Sequence, residues 1–377
     1  MTGGFAVRWP LLLLGLAICG AEVQAQPPAP VVSPTVNDDR TVTFRLRAPG
    51  AEGVALICGD MPGVGRREMD RGEGGVWSVT VGPVPAGAYR YEFQVGGVKV
   101  IDPANPLTSA ANATTFSLVV VPGSSLFDTR DVPHGAVARV EYPSSLGLGW
   151  RRAHVYTPPG YEAGRRSYPV LFLLHGATDS DESWVTVGRA GAILDNLIAA
   201  DLARPMIVVM PNGHRSQRGL AAPGGLDNDV DNLAREVEVD LLPLVEARYR
   251  VRSGAANRAV AGLSMGGAQS LQVALTQPGQ WGYVGVFSSG IFALRDDEQS
   301  AAWPAANAAR LAAARRNMKV CWFAIGTDDF LLDISRRTVT ALRDADWPLQ
   351  STETGGGHVW MVWREYLAEF VQLLFKP

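Results

Sequence analysis

Gly262-Leu263-Ser264-Met265-Gly266 sets one serine between two glycines, after the apolar stretch Arg258–Ala261 and before a helical pattern from Gly266 to Gln277. This spacing suits a nucleophile on a sharp strand-to-helix turn. Backbones crowd at such a turn, so its neighbours must carry little bulk. The turn lifts the serine hydroxyl to the edge of a sheet. The next backbone N–H, that of Met265, then lies at a helix start, where the dipole is positive. It is a natural donor to an oxyanion.

A serine of this kind needs a base. Of the five histidines, His134, His154, His175, His214 and His358, only His358 follows Ser264. It sits after Gly355-Gly356-Gly357 and before the apolar-patterned segment Glu365–Phe375. A glycine loop beyond the last strand can swing an imidazole over a serine on the central strand. The imidazole in turn needs an acid to fix its tautomer and stabilise its cation. Asp328 and Asp329 stand just past the apolar run Val320–Ile325. Asp329 is favoured and Asp328 is the alternative; Asp333 opens the next helical pattern, where capping is the simpler role. The order Ser, Asp, His is that of the α/β-hydrolases. The second oxyanion donor is expected from the loop after the apolar run ending at Leu174, with Ala177 N–H the natural choice. His175, in the same loop, reads as scaffold rather than base.

Other side chains admit milder roles. Trp184 is a candidate wall for an acyl or aryl pocket, although core packing is the simpler reading. Trp360 and Trp363 read as packing for the last helix. Arg215 and Arg218 follow Met210-Pro211-Asn212-Gly213-His214 and could meet an anionic or sugar-rich substrate. Asp227 to Glu238 carries acids at positions 1, 3, 5 and 12 of an EF-hand-like loop. Position 6 is Asn232 instead of glycine, and Asn232 onward reads as a helix capped by Asp231. No metal and no cofactor are therefore expected.

Near-continuous apolar runs at Tyr168–Leu174, Pro205–Met210, Arg258–Gly262, Gly282–Phe287 and Met318–Gly326 read as buried strands. Helical patterns lie between them at Ala190–Leu202, Asn232–Tyr249, Gly266–Gln277 and Asp333–Ala345. Buried strands alternating with helices imply a mostly parallel sheet covered on both faces. Sites form at the carboxyl ends of such strands. Each of these runs ends in a loop that holds a reactive or glycine-rich group.

Upstream the pattern is all strand. In Arg40–Pro49, Val42, Phe44 and Leu46 alternate with Thr43, Arg45 and Arg47. Short strand patterns continue to Val121, separated by Gly and Pro, as in a small immunoglobulin-like sandwich. Gly96-Gly97 reads as a two-residue hairpin turn. Trp77 and Tyr89 read as core. The division expected is residues 1–25 a signal peptide, 26–35 a linker, 36–121 the β-sandwich, 122–137 a second linker and 138–377 the α/β domain.

The signal reading rests on Arg8, the apolar run Leu11–Cys19 and the small residues before Gln26, with Val23 and Ala25 at the peptidase-read positions. The run is too short to span a bilayer stably. Ile18 before Cys19 argues against a lipid anchor. Export to the periplasm or medium follows, with no membrane span after cleavage. Cys58 and Cys321 then remain, in different domains, and need not pair. With 34 basic and 37 acidic residues and no basic run, nucleic acid is an unsuitable partner. Nothing in the sequence sets the oligomeric state.

Both halves resemble known families. Gly59-Asp60, Gly75–Val81 and Pro85–Pro106 are similar to carbohydrate-binding module family 48. Its glucan-binding members carry an aromatic platform after the Gly-Asp pair. Here Met61–Glu68 has none, so a spacer or an active-site wall is the reading for this module. Leu173–Trp184, Ala256–Leu271, Gly326–Leu332 and Gly355–Phe375 resemble the putative-esterase family of α/β-hydrolases. That resemblance maps a triad onto Ser264, Asp329 and His358, with Asp329 closing the Gly326-x-x-Asp329 pattern. It maps the oxyanion donors onto Ala177 and Met265. With the upstream module it implies a secreted esterase acting on feruloyl or acetyl groups of plant cell-wall polysaccharide. A siderophore esterase of enterochelin type, or an acyltransferase using the same triad, is the alternative.

Overall fold

The computed structural model describes residue 1, residues 29–215 and residues 225–376. The signal segment, the first part of the 26–35 linker, and Arg218 lie outside the described residues.

The N-terminal module is a sandwich of two antiparallel sheets. One runs Thr35–Val36, Val42–Arg47, Val76–Val81, Asp70–Arg71. The other runs Gly65–Glu68, Val54–Cys58, Gly87–Val95, Thr114–Val121, Thr108–Ala111, with Val98–Val100 paired beside Gly87–Val95. Val42, Phe44 and Leu46 meet Leu56, Tyr89, Tyr91 and Phe93 between the sheets. Gly96 and Gly97 make the expected turn, both with positive φ. Trp77 and Tyr89 are core residues, as expected. Strand Gly87–Val95 is buried on both faces over its first seven residues. Its odd positions face the sandwich, while Arg90 and Glu92 face outward and are still buried, because the second domain covers part of that side.

The second domain is an eight-stranded, mostly parallel sheet. Its strands are β1 (Ala136–Pro143), β2 (Trp150–Thr157), β3 (Val170–Leu174), β4 (Ile207–Pro211), β5 (Arg258–Leu263), β6 (Tyr283–Phe287), β7 (Val320–Gly326) and β8 (Leu349–Thr354). The order is β1-β2-β4-β3-β5-β6-β7-β8. β1 and β2 pair antiparallel, as do β2 and β4; the remaining pairs are parallel. The helices are α1 (Ala190–Ala199), α2 (Gly225–Glu236), α3 (Leu242–Arg248), α4 (Met265–Thr276), α5 (Asp297–Ala306), α6 (Ala308–Ala314), α7 (Leu332–Asp344) and α8 (Trp360–Val371). α1 and α8 share one core with Ala259, Ala261 and Leu263 of β5, while α2, α3, α4 and α7 share the other with Val260. This is the α/β-hydrolase fold behind an all-β immunoglobulin-like module, as the patterns imply.

Several local expectations change. β1, β2 and β8 are absent from the sequence reading; β1 and β8 are the sheet's edges, and their half-polar patterns carry a weak strand signal. α2 begins at Gly225, so Asp231 lies inside a helix instead of capping one. The EF-hand-like run is helical, and tertiary contacts use its acids: Asp229 holds His214 Nδ1 at 3.1 Å, and Asp231 accepts from Gln272 at 2.6 Å. No metal-ligand cluster occurs among the described residues. The 122–137 segment is tied to α1, since Asn196 Nδ2 donates to the carbonyls of Leu126 and Asp128. Cys58 and Cys321 are both free and buried. No helix among the described residues is long and apolar enough to cross a membrane.

The two domains share buried contacts. Ala88 and Leu118 of the module enter the core under α1 and α8. Arg364 of α8 is wholly buried and donates to the carbonyls of Ala88 at 3.1 Å and Val187 at 2.9 Å. Arg90 of the module donates to Asp179 at 2.6 Å and to Ser183 Oγ at 2.7 Å.

Candidate active site

Ser264 stands at the end of β5 with φ 52° and ψ −121°, a left-handed conformation costly for a side-chain-bearing residue. Its N–H donates to Phe287 O at 2.9 Å, and its carbonyl accepts from Gly267 N–H at 2.9 Å. The flanking glycines are required by close approach. A Cβ on Gly262 would lie 2.5 Å from the Gly266 carbonyl, and one on Gly266 would lie 2.6 Å from Leu174 O. Met265 is the first residue of α4. The loop after β3 packs on the serine: a Cβ on Gly176 would stand 3.5 Å from Ser264 Cβ. Ala177 follows directly.

His358 Nδ1 lies 2.9 Å from Asp329 Oδ2 and 3.1 Å from Oδ1. With the Nδ1 proton donated to this carboxylate, Nε2 is left with a free lone pair. Asp329 is 4% exposed. Burial opposes its ionisation, but hydrogen bonds from His358, Leu331 N–H and Ser288 prevail and hold its carboxyl below the usual range. Asp328 is held instead through its backbone N–H on Gly356 O, so the structure brings Asp329, not Asp328, to the histidine. Asp333 sits in the first turn of α7.

Ser264 and His358 are joined through the ends of three strands. Phe287 O receives the Ser264 N–H. The next residue, Ser288, has φ 49° and is among the groups that hold the Asp329 carboxyl below the usual range. Trp363 Nε1 donates to Ser288 Oγ at 3.0 Å, which leaves the serine proton free for another acceptor. The Trp363 ring also packs edge-on to His358, 4.9 Å between centroids. Phe330, 76% exposed, covers His358 from another side at 4.5 Å.

His175 is a scaffold. It is buried, its Nδ1 lies 2.8 Å from Gly176 O, and its Nε2 accepts Gly213 N–H at 2.8 Å. Burial, with His214 adding to it, pushes its pKa down to about 4. It is a neutral Nδ1–H tautomer tying the loop after β3 to the loop after β4. Trp184 takes the simpler of its two readings. Only 1% exposed, it donates its indole N–H to Leu174 O and packs on Phe287 and Trp360. It belongs to the core and not to a pocket wall. Trp360 and Trp363 are buried, as expected. Arg215 is exposed at the rim of the loop after β4.

Sequence reasoning missed Ser288, Phe330 and Arg90. Ser288 and Phe330 each follow a strand end, a positional signal that was available. Arg90 gave none, because an alternating strand puts such a residue on the face expected to be solvent.

Two family models match the chain. That described as putative esterase covers residues 147–374, and that described as carbohydrate-binding module 48 (isoamylase N-terminal domain) covers residues 31–107. An endo-1,4-beta-xylanase/feruloyl esterase of Xylanibacter ruminicola is 28% identical over 351 residues, 91% of this chain and 46% of that protein. The chain thus spans less than half of that relative's length. A CE1 ferulic acid esterase from Anaeromyces mucronatus, solved with ferulic acid, superposes with a TM-score of 0.57 at 22% identity, covering 67% of this chain and 96% of that one. The enterobactin esterase of Shigella flexneri gives 0.62 at 18% identity, covering 89% and 93%. At these identities the solved structures speak to the fold. The match over residues 147–374, on a sheet with Ser264 at the end of β5 and His358 bound to Asp329, means that the chain belongs to the putative esterase family.

Proposed function

We propose that the protein is an exported serine carboxylesterase that hydrolyses feruloyl or acetyl esters of plant cell-wall polysaccharide. The observation that carries the chemistry is the run of contacts from the strained Ser264 turn through Phe287 and Ser288 to Asp329 and His358. The similarity to a xylanase/feruloyl esterase over 91% of the chain supports the substrate class. The N-terminal segment, with Val23 and Ala25 before Gln26, supports export.

In the proposed mechanism His358 Nε2 takes the Ser264 proton as Oγ attacks the ester carbonyl carbon. The oxygen anion rests on the N–H groups of Met265 and Ala177. The intermediate collapses, the C–O bond to the alcohol breaks, and the alcohol leaves with the proton from His358. Water then gives a proton to His358 and attacks the acyl carbon. Ser264 Oγ departs with that proton, and the free acid is released. Asp329 stays ionised throughout and holds the imidazolium. No cofactor or metal enters these steps.

Ser264→Ala is expected to abolish hydrolysis of p-nitrophenyl acetate and methyl ferulate with the circular-dichroism spectrum unchanged. Full activity in that variant overturns the assignment. A siderophore-esterase reading has one observation in its favour: the enterobactin esterase superposes over both domains. A panel of methyl ferulate, acetylated xylan and a cyclic catechol siderophore separates the two. Cleavage of the siderophore alone overturns the polysaccharide reading.

A further inference from the structure

The active-site face continues past the oxyanion loop into a cavity of about 640 Å³ shared by both domains. One wall is the tip of the module's last hairpin, including Asn112 and Thr114. The opposite wall is Trp150, with Arg152 and Asn212. Trp150 opens β2 and is 75% exposed. β2 runs antiparallel to β4, with Ala153 opposite Pro211, so Trp150 extends beyond the carboxyl end of β4. That is the edge on which Ser264 and His175 lie. β4 and β3 separate β2 from β5. Three strand spacings put Trp150 on the order of 14 Å from the serine's strand. The hairpin tip reaches the catalytic loop itself, since Asn112 N–H donates to Thr178 O at 3.0 Å.

We propose that this cavity is a sugar subsite for the alcohol half of the ester, with Trp150 as its stacking platform. The inference rests on the polysaccharide-esterase reading and assigns a place to the carbohydrate. Sugar rings present C–H faces and a rim of hydroxyls. An exposed indole takes the face, and mixed donors and acceptors take the rim. Asn112, Thr114 and Asn212 offer both kinds of group. The two arginines that line the cavity from β2 are neutralised, Arg151 by Glu236 at 2.8 Å and Arg152 by Asp181 at 2.8 Å. A third, Arg215, lines the same cavity at its exposed rim and adds guanidinium donors for sugar hydroxyls. The aromatic platform absent after Gly59-Asp60 in the module is thus supplied by the catalytic domain.

The test compares the wild type, Trp150→Ala and Trp150→Phe on methyl ferulate and on a feruloylated arabinoxylan oligosaccharide. Trp150→Ala is expected to raise KM for the oligosaccharide roughly tenfold, with kcat held. Its kinetics on methyl ferulate should stay within about twofold, and Trp150→Phe should recover most of the loss. An unchanged KM on the oligosaccharide, or an equal rise on both esters, overturns the subsite. If the wild type cleaves neither ester, the feruloyl reading fails on its own. Calorimetric titration with unesterified arabinoxylan oligosaccharide then decides the subsite: binding lost in Trp150→Ala upholds it, and no binding to the wild type overturns it. Tighter, Trp150-dependent binding of enterobactin overturns the sugar assignment.

Discussion

Arg90 of the module and Asp179 of the catalytic domain form a buried ion pair, 2.6 Å from Nη1 to Oδ1, two residues past Ala177. Arg90 Nε also donates to Ser109 Oγ at 2.9 Å, so the guanidinium binds its own sheet and the catalytic loop together. Ser180 Oγ adds a bond to Ala110 O at 2.9 Å. The loop that is to supply an oxyanion donor is thereby stitched to the module. The module is a built-in support of that loop.

Breaking this pair from one side strands a buried charge, at a cost of about 3–5 kcal/mol. Arg90→Met is therefore expected to lower Tm by several degrees and kcat on methyl ferulate at least tenfold, with KM moving less. Arg90→Met with Asp179→Leu removes both charges and should regain much of the Tm. A double-mutant cycle on Tm and kcat checks this. Additive losses mean that the pair is not coupled to the loop.

Trp363 holds Ser288 by its indole N–H, and Ser288 helps keep the Asp329 carboxyl ionised. Ser288→Ala is expected to lower kcat roughly tenfold with KM nearly unchanged, because the change acts on the acid behind the base and not on substrate contact. Trp363→Phe removes the indole donor but keeps a ring on His358, so a smaller loss is expected. Steady-state kinetics on p-nitrophenyl acetate check both. An effect on KM alone contradicts the relay.

His175 makes stability depend on pH. Unfolded, its imidazole takes a proton near pH 6.5; folded, it does so only near 4. Above about pH 6.5 both states are neutral and its contribution is full. As the pH falls toward 4 the unfolded state alone binds the proton, so up to about 3 kcal/mol of stability is lost. Urea unfolding at pH 7.5 and 4.5 should show this loss reduced in His175→Gln. If that variant fails to fold, the imidazole nitrogen chemical shifts of the wild type serve instead. They should hold the neutral Nδ1–H pattern at pH 5, and an imidazolium signal there contradicts the tautomer.

Much of the fold was legible because it is written in local patterns. Apolar runs such as Tyr168–Leu174 mark strands buried on both faces, and α1, α4 and α7 lie within a few residues of their patterns, whereas α5 and α6 were not read. The exceptions share a cause. β8 reads Leu-Gln-Ser-Thr-Glu-Thr, an edge whose partner lies on one side only. α2 starts earlier than its capping residues suggest, because Asp229 and Asp231 are engaged by His214 and Gln272 from elsewhere in the chain.

The sequence by itself determined the candidate chemistry: a serine between obligatory glycines, an acid after an apolar strand and a histidine in a late glycine loop, in that order. Such features are local, since a sharp turn or a strand end constrains only its neighbours. The tertiary structure joined Asp329 to His358, closed Trp184 into the core, and brought Phe330 and Trp363 to the imidazole. It alone carried Arg90 across 89 residues to Asp179. These relations depend on which strand ends become neighbours and on which sheet face a second domain covers. Such placements follow from packing the whole chain and leave no mark on the spacing of nearby residues.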